Sequence, residues 1–172
     1  LEDDGSSNYI MSLKNQPHIF EEHSELFNWT IGNNPKIILN SDRAPEPVGA
    51  YPHAVRVGNM LFLSGVGPRE RGQKAIPGVT LGEDGSIVDY DIVLQTESVF
   101  RNIRYILEDA GSSWENILDV TVFLTNMKKD FPIVNKLYAE HFAGINACRT
   151  TLEIGALPTP IAVELKVLAW ID

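Results

Sequence analysis

The sequence has a single cysteine, Cys148, among 172 residues. One thiol cannot form an intramolecular disulfide, so the chain fits a reducing compartment. No apolar run approaches the roughly 20 residues that cross a bilayer, and the acidic N-terminus LEDDGSSNYI lacks the apolar segment of a signal peptide. We therefore expect a soluble, cytoplasmic protein with no membrane partner.

Positive charge is also scarce. The chain has 14 Lys and Arg against 23 Asp and Glu, a formal net charge of −9. Because affinity for nucleic acid comes mainly from neutralising phosphates, this balance argues against sequence-independent nucleic-acid binding. Apolar residues, in contrast, make up 44% of the chain, which is enough at this length for one domain with a substantial core.

Motifs for a metal or a dinucleotide are missing as well. His18 and His23 have no metal-ligand spacing with another ligand type, so we expect no metal site. The stretch GVGPRERG contains G-x-G without the further glycine and the helix of a dinucleotide loop. Its Arg69 and Arg71 belong to a small basic cluster, which fits a solvated loop and an anion-binding site equally well.

Strand-like and helix-like patterns alternate along the chain. The runs HAVRV and MLFLSG are joined by Gly58-Asn59, a hairpin signal, and a second turn, EDGS, separates VTL from IVDYD. Helical spacing of apolar residues predicts helices over 91–110 and over about 131–142, with Pro132 near the first turn of the second helix. The run ILDVTVFLT lies between them, and two further strands flank the bend GALPTP.

The resulting order is β-β-α-β-α-β-β, with hairpins at both ends. It indicates an α+β fold in which both helices pack on one face of the sheet. The last strand, AVELKVLAW, has too many apolar residues for a strand with one buried and one solvent-exposed face. Oligomerisation would cover the remaining apolar surface.

Residues 1–42 are interpreted as an N-terminal extension that includes a short amphipathic helix over 17–28, and residues 43–172 as the domain. Since LEDDGSSNYI precedes Met11, we expect the native chain to start at Met11 and residues 1–10 to derive from an expression vector.

Two charges in the closing strands are candidates for a site. Arg149 stands at the start of one strand and Glu164 lies within the next. Alternation places Glu164 on the same strand face as Lys166. Spacing alone favours ordinary solvent-facing strand charges for Glu164 and Lys166, and Arg149 could equally be a surface charge. The residues themselves therefore indicate only an oligomeric α+β domain.

Four motifs in unbroken order resemble one family. They are APEPVGAYPHAV, LFLSGVGP, DVTVFLTNMKKDFPIVNKLYAEHF and RTTLEIGALPTPIAVELKVLA. The family is the RidA (YjgF) family of imine and enamine deaminases, and the resemblance extends from about Arg43 to Asp172. Its specific part is the combination of Arg149, Leu157-Pro158 and Glu164. The resemblance implies a chorismate-mutase-like fold and a homotrimer, in which the sheets form a central barrel and the sites lie between subunits.

The resemblance also implies the site residues and their chemistry. The family's positions correspond to Tyr51, Ser64, Gly65, Asn135, Arg149 and Glu164. Arg149 would bind the carboxylate of a 2-imino or 2-enamino acid through two parallel donors, and Glu164 would handle the proton of the attacking water. Tyr51, with backbone donors near Ser64 and Gly65, would stabilise the polarised intermediate. The position two after the arginine, often Cys in the family, is Thr151, which argues against a thiol mechanism.

The connection that follows the strand MLFLSG is longer than in generic family members, and this narrows the choice of implied substrate. The stretch PRERGQKAIPGVTLGEDGSIVDYD resembles 2-aminomuconate deaminase, a subgroup that serves bacterial breakdown of aromatic compounds. Its substrate is a six-carbon dicarboxylate, so Arg149 would hold one carboxylate and Arg69 or Arg71 the other. The implied reaction converts 2-aminomuconate and water to 4-oxalocrotonate and ammonia. It needs no cofactor, because a tautomer of the enamine is already an electrophilic imine.

Three other functions stay open. A general deaminase of 2-aminoacrylate-type imines would have no use for a second cation. A ribonuclease or translation inhibitor, a label often attached to this family, is opposed by the acidic balance of the chain. A non-catalytic ligand-binding trimer would need Arg149 to bind a carboxylate, but it would not need Glu164.

Overall fold

The structure of the protein, a computed structural model, describes residues 35–171. The predicted helix over 17–28 and the expected start at Met11 lie outside this range. Within it, the chain from Lys36 onward forms one compact unit. The division between residues 42 and 43 stays a prediction, and the first strand of the sheet already begins at Ile37.

The described chain contains eight strands and two α-helices. The strands are β1 (Ile37–Leu39), β2 (Ala54–Val57), β3 (Met60–Leu63), β4 (Val79–Leu81), β5 (Ile87–Tyr90), β6 (Ile117–Leu124), β7 (Cys148–Glu153) and β8 (Val163–Trp170). The helices are α1 (Ile92–Asp109) and α2 (Met127–His141), and a short 3-10 helix (Trp114–Asn116) precedes β6. No helix in residues 35–171 is long and apolar enough to cross a membrane.

Six strands form one sheet in the order β1-β2-β3-β8-β6-β7, and β4 and β5 form a separate hairpin. Neighbouring strands are antiparallel except β6 and β7, which run parallel. Both predicted turns are confirmed: Val57 pairs with Met60 across Gly58-Asn59, and Gly85 of EDGS has a φ of 79° between β4 and β5. A positive φ of this kind is the reason that such turns favour glycine.

Helix α1 begins and ends where the sequence predicts. The side chain of Asp91 accepts hydrogen bonds from the N–H groups of Val93 (2.8 Å) and Leu94 (3.1 Å), so it caps the first turn. Beyond the C-cap Ala110, Gly111 adopts a φ of 81°, the left-handed conformation that commonly ends a helix.

Helix α2 begins at Met127, four residues earlier than predicted. Asn126 is the N-cap, and its side-chain oxygen accepts a hydrogen bond from the N–H of Lys129 at 3.0 Å. Pro132 therefore lies in the second turn. The prediction relied on the preference of proline for the first turn, whereas the asparagine cap sets the start here.

The two closing strands do not form the hairpin that the sequence suggested. Strand β6 lies between β7 and β8 and pairs with both, parallel to β7 and antiparallel to β8. The segment from Ile154 to Ala162 therefore crosses over β6 rather than making a tight turn. This crossover moves β7 to the edge of the sheet.

Both helices pack on one face of the sheet, as predicted. The core between them contains fully buried side chains from each layer, including Phe100 and Ile103 of α1, Val120 of β6 and Leu165 of β8. Burying an apolar side chain of this size contributes roughly 1.5–3 kcal/mol. The other face carries no helix, and Phe62 at 45% is among the large apolar side chains exposed there.

Candidate active site

A cleft of about 360 Å³ lies where the C-terminal end of β3 meets β8. It brings together five of the predicted site residues: Tyr51, Ser64, Gly65, Arg69 and Glu164. We call it the Glu164 cleft.

An irregularity in the sheet directs Ser64 and Gly65 towards this cleft. Phe62 pairs with Leu168, and Val66 next pairs with Leu165, so the β3 side holds one residue more than the β8 side. Such a β-bulge bends a strand and redirects its side chains.

The bulge also determines which groups remain for a ligand. The hydroxyl of Ser64 donates to the carbonyl of Pro52 at 2.7 Å, so its proton is engaged and its oxygen is left as an acceptor. Within residues 35–171, the N–H of Gly65 donates to no backbone carbonyl. This N–H is therefore a candidate donor for a developing negative charge.

Gly65 and Glu164 are packed so closely that a side chain at position 65 would move the Glu164 carboxylate. A Cβ added there would lie 2.9 Å from Cδ of Glu164 and still closer to its Oε1. Cβ atoms do not approach other atoms within 3.0 Å, so any side chain at 65 would displace the carboxylate. The bulge and the glycine thus allow the Glu164 carboxylate to pack directly against the backbone at position 65.

The environment of Glu164 favours its neutral form. The side chain is half-buried, and burial raises the pKa of its carboxyl above the ordinary value. No hydrogen bond or ion pair to Glu164 forms within the described part of the chain. A half-buried carboxyl with a raised pKa and no partner in the described residues is better suited to take up and return a proton than an exposed glutamate is.

One wall of the cleft comes from the loop that precedes β2. The buried ring of His53 accepts a hydrogen bond at Nδ1 from the N–H of Ser41 (3.1 Å), so Nε2 carries the proton and donates to the carbonyl of Pro45 (2.9 Å). Within the loop, the N–H of Val48 donates to the Tyr51 hydroxyl at 3.3 Å. These bonds hold the Tyr51 ring at the cleft and leave its hydroxyl proton available.

The two arginines of the insert have different positions. Arg69 lines the cleft, and its Nη2 donates to the carbonyl of Glu46 at 2.6 Å. Arg71 does not line it: its Nη1 donates to the carbonyl of Ala44 at 2.9 Å, and its Nη2 pairs with the Glu46 carboxylate at 3.1 Å. Arg71 thus ties the insert to the loop before β2.

Arg149 belongs to a second cluster, at the sheet edge. Its guanidinium lies 4.6 Å from the ring centroid of Tyr138 and 5.9 Å from that of Phe131, both on α2. Asn135 is four residues after Phe131 and therefore shares this helix face, and Thr151 follows Arg149 on the same face of β7. Burial raises the pKa of the Tyr138 hydroxyl, and the charge of Arg149 opposes that rise.

Within one chain, the two clusters lie on opposite faces of the sheet. Arg149 pairs with Val120, which is fully buried beneath the helices, whereas Glu164 pairs with Phe123 on the uncovered face. With β6 between β7 and β8, the two positions are about 10 Å apart across the sheet and about 10 Å apart along the strands. A single chain therefore does not place Arg149 and Glu164 around one substrate.

Comparison with known proteins identifies the family. A family model described as Endoribonuclease L-PSP matches residues 41–171. The chain belongs to this family. It is the family to which the names RidA and YjgF refer.

Relatives support the same conclusion. A RutC family protein of Pyrococcus abyssi is 34% identical over 135 residues, which cover 78% of this chain and 97% of that protein. A protein of Dermatophagoides farinae named 2-iminobutanoate/2-iminopropanoate deaminase is 29% identical over 140 residues, 81% of this chain and 99% of its own.

The fold is that of the RidA family as well. The crystal structure of the E. coli YjgF gene product superposes with a TM-score of 0.66 at 27% identity, covering 79% of this chain and 99% of that one. The chorismate-mutase-like fold expected from the sequence is thus confirmed, and with it the α+β class.

Two features of the site in this RidA-family chain were not predicted from its sequence. Lys166 is exposed, as the alternation of side chains suggested, but it also lines the Glu164 cleft. Tyr138 and Phe131 pack against the core and also contact the Arg149 guanidinium. The available signals were that Lys166 shares the strand face of Glu164 and that Tyr138 shares the helix face of Asn135.

Proposed function

We propose that the protein is a cofactor-independent deaminase that hydrolyses 2-imino and 2-enamino acids, with 2-aminomuconate as its substrate. The observation that carries this proposal is the half-buried carboxyl of Glu164, which packs against Gly65 at the wall of a cleft and has no partner within residues 35–171. The relative from Dermatophagoides farinae, whose name describes the hydrolysis of short 2-imino acids, supports the same chemistry.

The proposed reaction begins from the imine tautomer of the substrate with its nitrogen protonated. Glu164 takes a proton from a water molecule as the water oxygen bonds to the C=N carbon, and the π electron pair of the C=N bond moves to the nitrogen to give a neutral carbinolamine. Glu164 then gives this proton to the amino nitrogen. The C–N bond breaks as the carbonyl forms, and Glu164 passes the proton of the carbinol hydroxyl to the departing ammonia, so one ammonium ion leaves. The N–H of Gly65 and the hydroxyl of Tyr51 are the donors for charge that develops at the reacting centre.

Arg149 would bind the carboxylate next to the reacting carbon. Because Arg149 and Glu164 face opposite sides of the sheet in one chain, we propose that each complete site takes Arg149 from one subunit and Glu164 from another. A homotrimer with its sheets around a central barrel would also cover the exposed apolar face that includes Phe62. Asn135 and Thr151, beside Arg149, would contact the same end of the substrate.

The cations near the cleft support a dicarboxylate substrate. Arg69 lines the cleft and has donors beyond the one that binds Glu46, so of the two insert arginines it is the candidate for a distal carboxylate. A general deaminase of short 2-imino acids is the second candidate, because the name of the Dermatophagoides farinae relative specifies such substrates.

RNA cleavage, which the description of the family model names, is the less supported function for this chain. A nuclease has to bind a polyanion, and the net charge of −9 opposes that binding. Incubation with RNA at low ionic strength, where electrostatic binding is strongest, would reveal such an activity.

The proposal is tested by ammonia release and loss of ultraviolet absorbance with freshly generated 2-aminomuconate. The same assay is run with 2-aminoacrylate made in situ by a dehydratase. We expect turnover of both, with aminomuconate preferred. A preference for aminoacrylate would identify a general imine deaminase, and no turnover of either would contradict the proposal.

A further inference from the structure

We propose that Lys166 is a specificity-determining residue that binds the distal carboxylate of a dicarboxylate substrate in the Glu164 cleft. This inference rests on the proposed function and deepens it. Binding of the distal carboxylate, considered above for Arg69 of the insert, is assigned here to Lys166, a strand residue close to Glu164.

The sheet places Lys166 next to the reacting centre. Lys166 follows Glu164 by two residues on β8, so both side chains leave the same face of the strand, the face not covered by helices. Both line the same cleft, with Ser64 and Gly65 of the bulge on the neighbouring strand. Lys166 pairs laterally with Thr121 of β6, whose side chain is uncharged.

The spacing suits a substrate with a carboxylate at each end. Positions two apart on a strand are separated by about 7 Å, comparable to the length of an extended six-carbon diacid. The lysine ammonium sits on a flexible four-carbon stem and can follow a carboxylate that is held at its other end. A substrate with its C=N carbon at Glu164 can therefore direct its far carboxylate to Lys166.

Two cations line the cleft, Arg69 and Lys166, and within residues 35–171 Lys166 is the one of these two without a protein partner. Arg71 is engaged by two carbonyls and the Glu46 carboxylate, and Arg69 donates to the carbonyl of Glu46. In residues 35–171, the ammonium of Lys166 forms no hydrogen bond or ion pair, and its side chain is exposed. A cation that is not held by the fold is available to a ligand.

The test compares ligands that differ only in the distal group. Muconate and sorbate share a six-carbon diene acid, and muconate carries a second carboxylate where sorbate has a methyl group. Their dissociation constants are measured by calorimetry for the wild-type protein, Lys166→Met, Arg69→Ala and Lys36→Met. Lys36, exposed before β1 at the other end of the β2–β3 hairpin, controls for the loss of one positive charge.

We expect Lys166→Met to weaken muconate binding on the order of 10- to 100-fold, as for a lost charge-assisted hydrogen bond, and to leave sorbate binding unchanged. Lys36→Met should bind both ligands like the wild type. Equal losses for muconate and sorbate in Lys166→Met, or a muconate-specific loss in Arg69→Ala alone, would overturn the proposal. Similar circular dichroism spectra and similar assembly sizes would show that each variant is folded.

Turnover separates this inference from the proposed function. Amino acid oxidases generate 2-iminoadipate and 2-iminohexanoate in situ, two six-carbon imines with and without the distal carboxylate. If neither imine is hydrolysed by the wild type, the deaminase proposal fails. The ratio of the dissociation constants for muconate and sorbate then still tests the role of Lys166. If both are hydrolysed, we expect Lys166→Met to raise KM for 2-iminoadipate alone, and an unchanged KM ratio would contradict the role of Lys166.

Discussion

At the scale of residues, the proposed chemistry depends on the carboxyl of Glu164. The carboxyl packs against the backbone at Gly65, and its burial disfavours the charged form. These two conditions give a general base a fixed direction and a proton affinity above that of an exposed glutamate. Each condition leads to a separate prediction.

The first prediction concerns Glu164→Gln. The amide keeps the shape of the side chain but cannot accept the proton of water, so kcat should fall about 10²–10⁴-fold, the usual contribution of a general base, with little change in the affinity for muconate. Steady-state kinetics and calorimetry measure the two effects. Wild-type turnover by this variant would remove Glu164 from the mechanism.

The same residue predicts two pH dependences. Because its pKa is raised in the folded state, wild-type kcat should increase as pH rises through a value above the ordinary glutamate pKa of about 4.3. Between the ordinary and the raised pKa the folded protein binds more protons than the unfolded chain, so wild-type stability should fall as pH rises there. Glu164→Gln should lack this fall in stability. If the melting temperatures of the two proteins instead change in parallel with pH between the two pKa values, Glu164 is not the cause of the fall.

The second prediction concerns Gly65→Ala. The added Cβ has to displace the Glu164 carboxylate, so we expect kcat to fall about 10- to 100-fold through misplacement of the base. Gly155→Ala is the matched control, because a Cβ at that position meets nothing within 4 Å. If both variants have wild-type kcat, the close packing of Gly65 on Glu164 does not matter for turnover.

At the scale of elements, the cleft is formed where regular structure is interrupted. The bulge between β3 and Val66 provides the N–H of Gly65, and the loop before β2 provides Tyr51. Helix α1 supports this region from behind: Ser98 donates to the carbonyl of Pro68 at 2.7 Å, and Asn102 donates to the carbonyl of Gly67 at 3.0 Å. The start of α1 therefore contributes to the stability of the whole unit.

The third prediction concerns that start. Asp91→Ala removes two hydrogen bonds to the first turn of α1, so the free energy of unfolding should fall by about 1 kcal/mol. Ser113→Ala is the control, since Ser113 caps the short 3-10 helix without a side-chain hydrogen bond. Urea unfolding at one protein concentration measures both variants, and equal effects would contradict the capping role of Asp91.

Local sequence signals predicted the positions of strands, helices and turns better than they predicted which strands pair. Turn residues such as Gly58 and Gly85 and the apolar spacing of α1 act over a few residues, and the sequence locates these elements correctly. The neighbours of β7 depend on a crossover over β6, which no local pattern specifies. The bulge at Gly65 likewise results from pairing with β8, so the sequence could point to it only through the family resemblance.

At the scale of the whole molecule, one chain separates the two halves of the proposed site. The Glu164 cleft opens on the uncovered face of the sheet, and Arg149 stacks on Tyr138 on the helix-covered face at the β7 edge. Large apolar side chains remain exposed on the uncovered face, with Phe62 at 45% and Trp170 at 40%. Association of several chains would bury this surface and complete the proposed sites in one step.

Subunit mixing tests this account most directly. Arg149→Ala and Glu164→Gln are co-expressed with different tags, and the mixed assemblies are purified and assayed for ammonia release from 2-aminomuconate. If each site combines Arg149 of one chain with Glu164 of another, every mixed trimer keeps one intact site of its three, so the activity of the purified mixed assemblies should return to about a third of wild type. Mixed assemblies no more active than either variant alone would contradict the shared site.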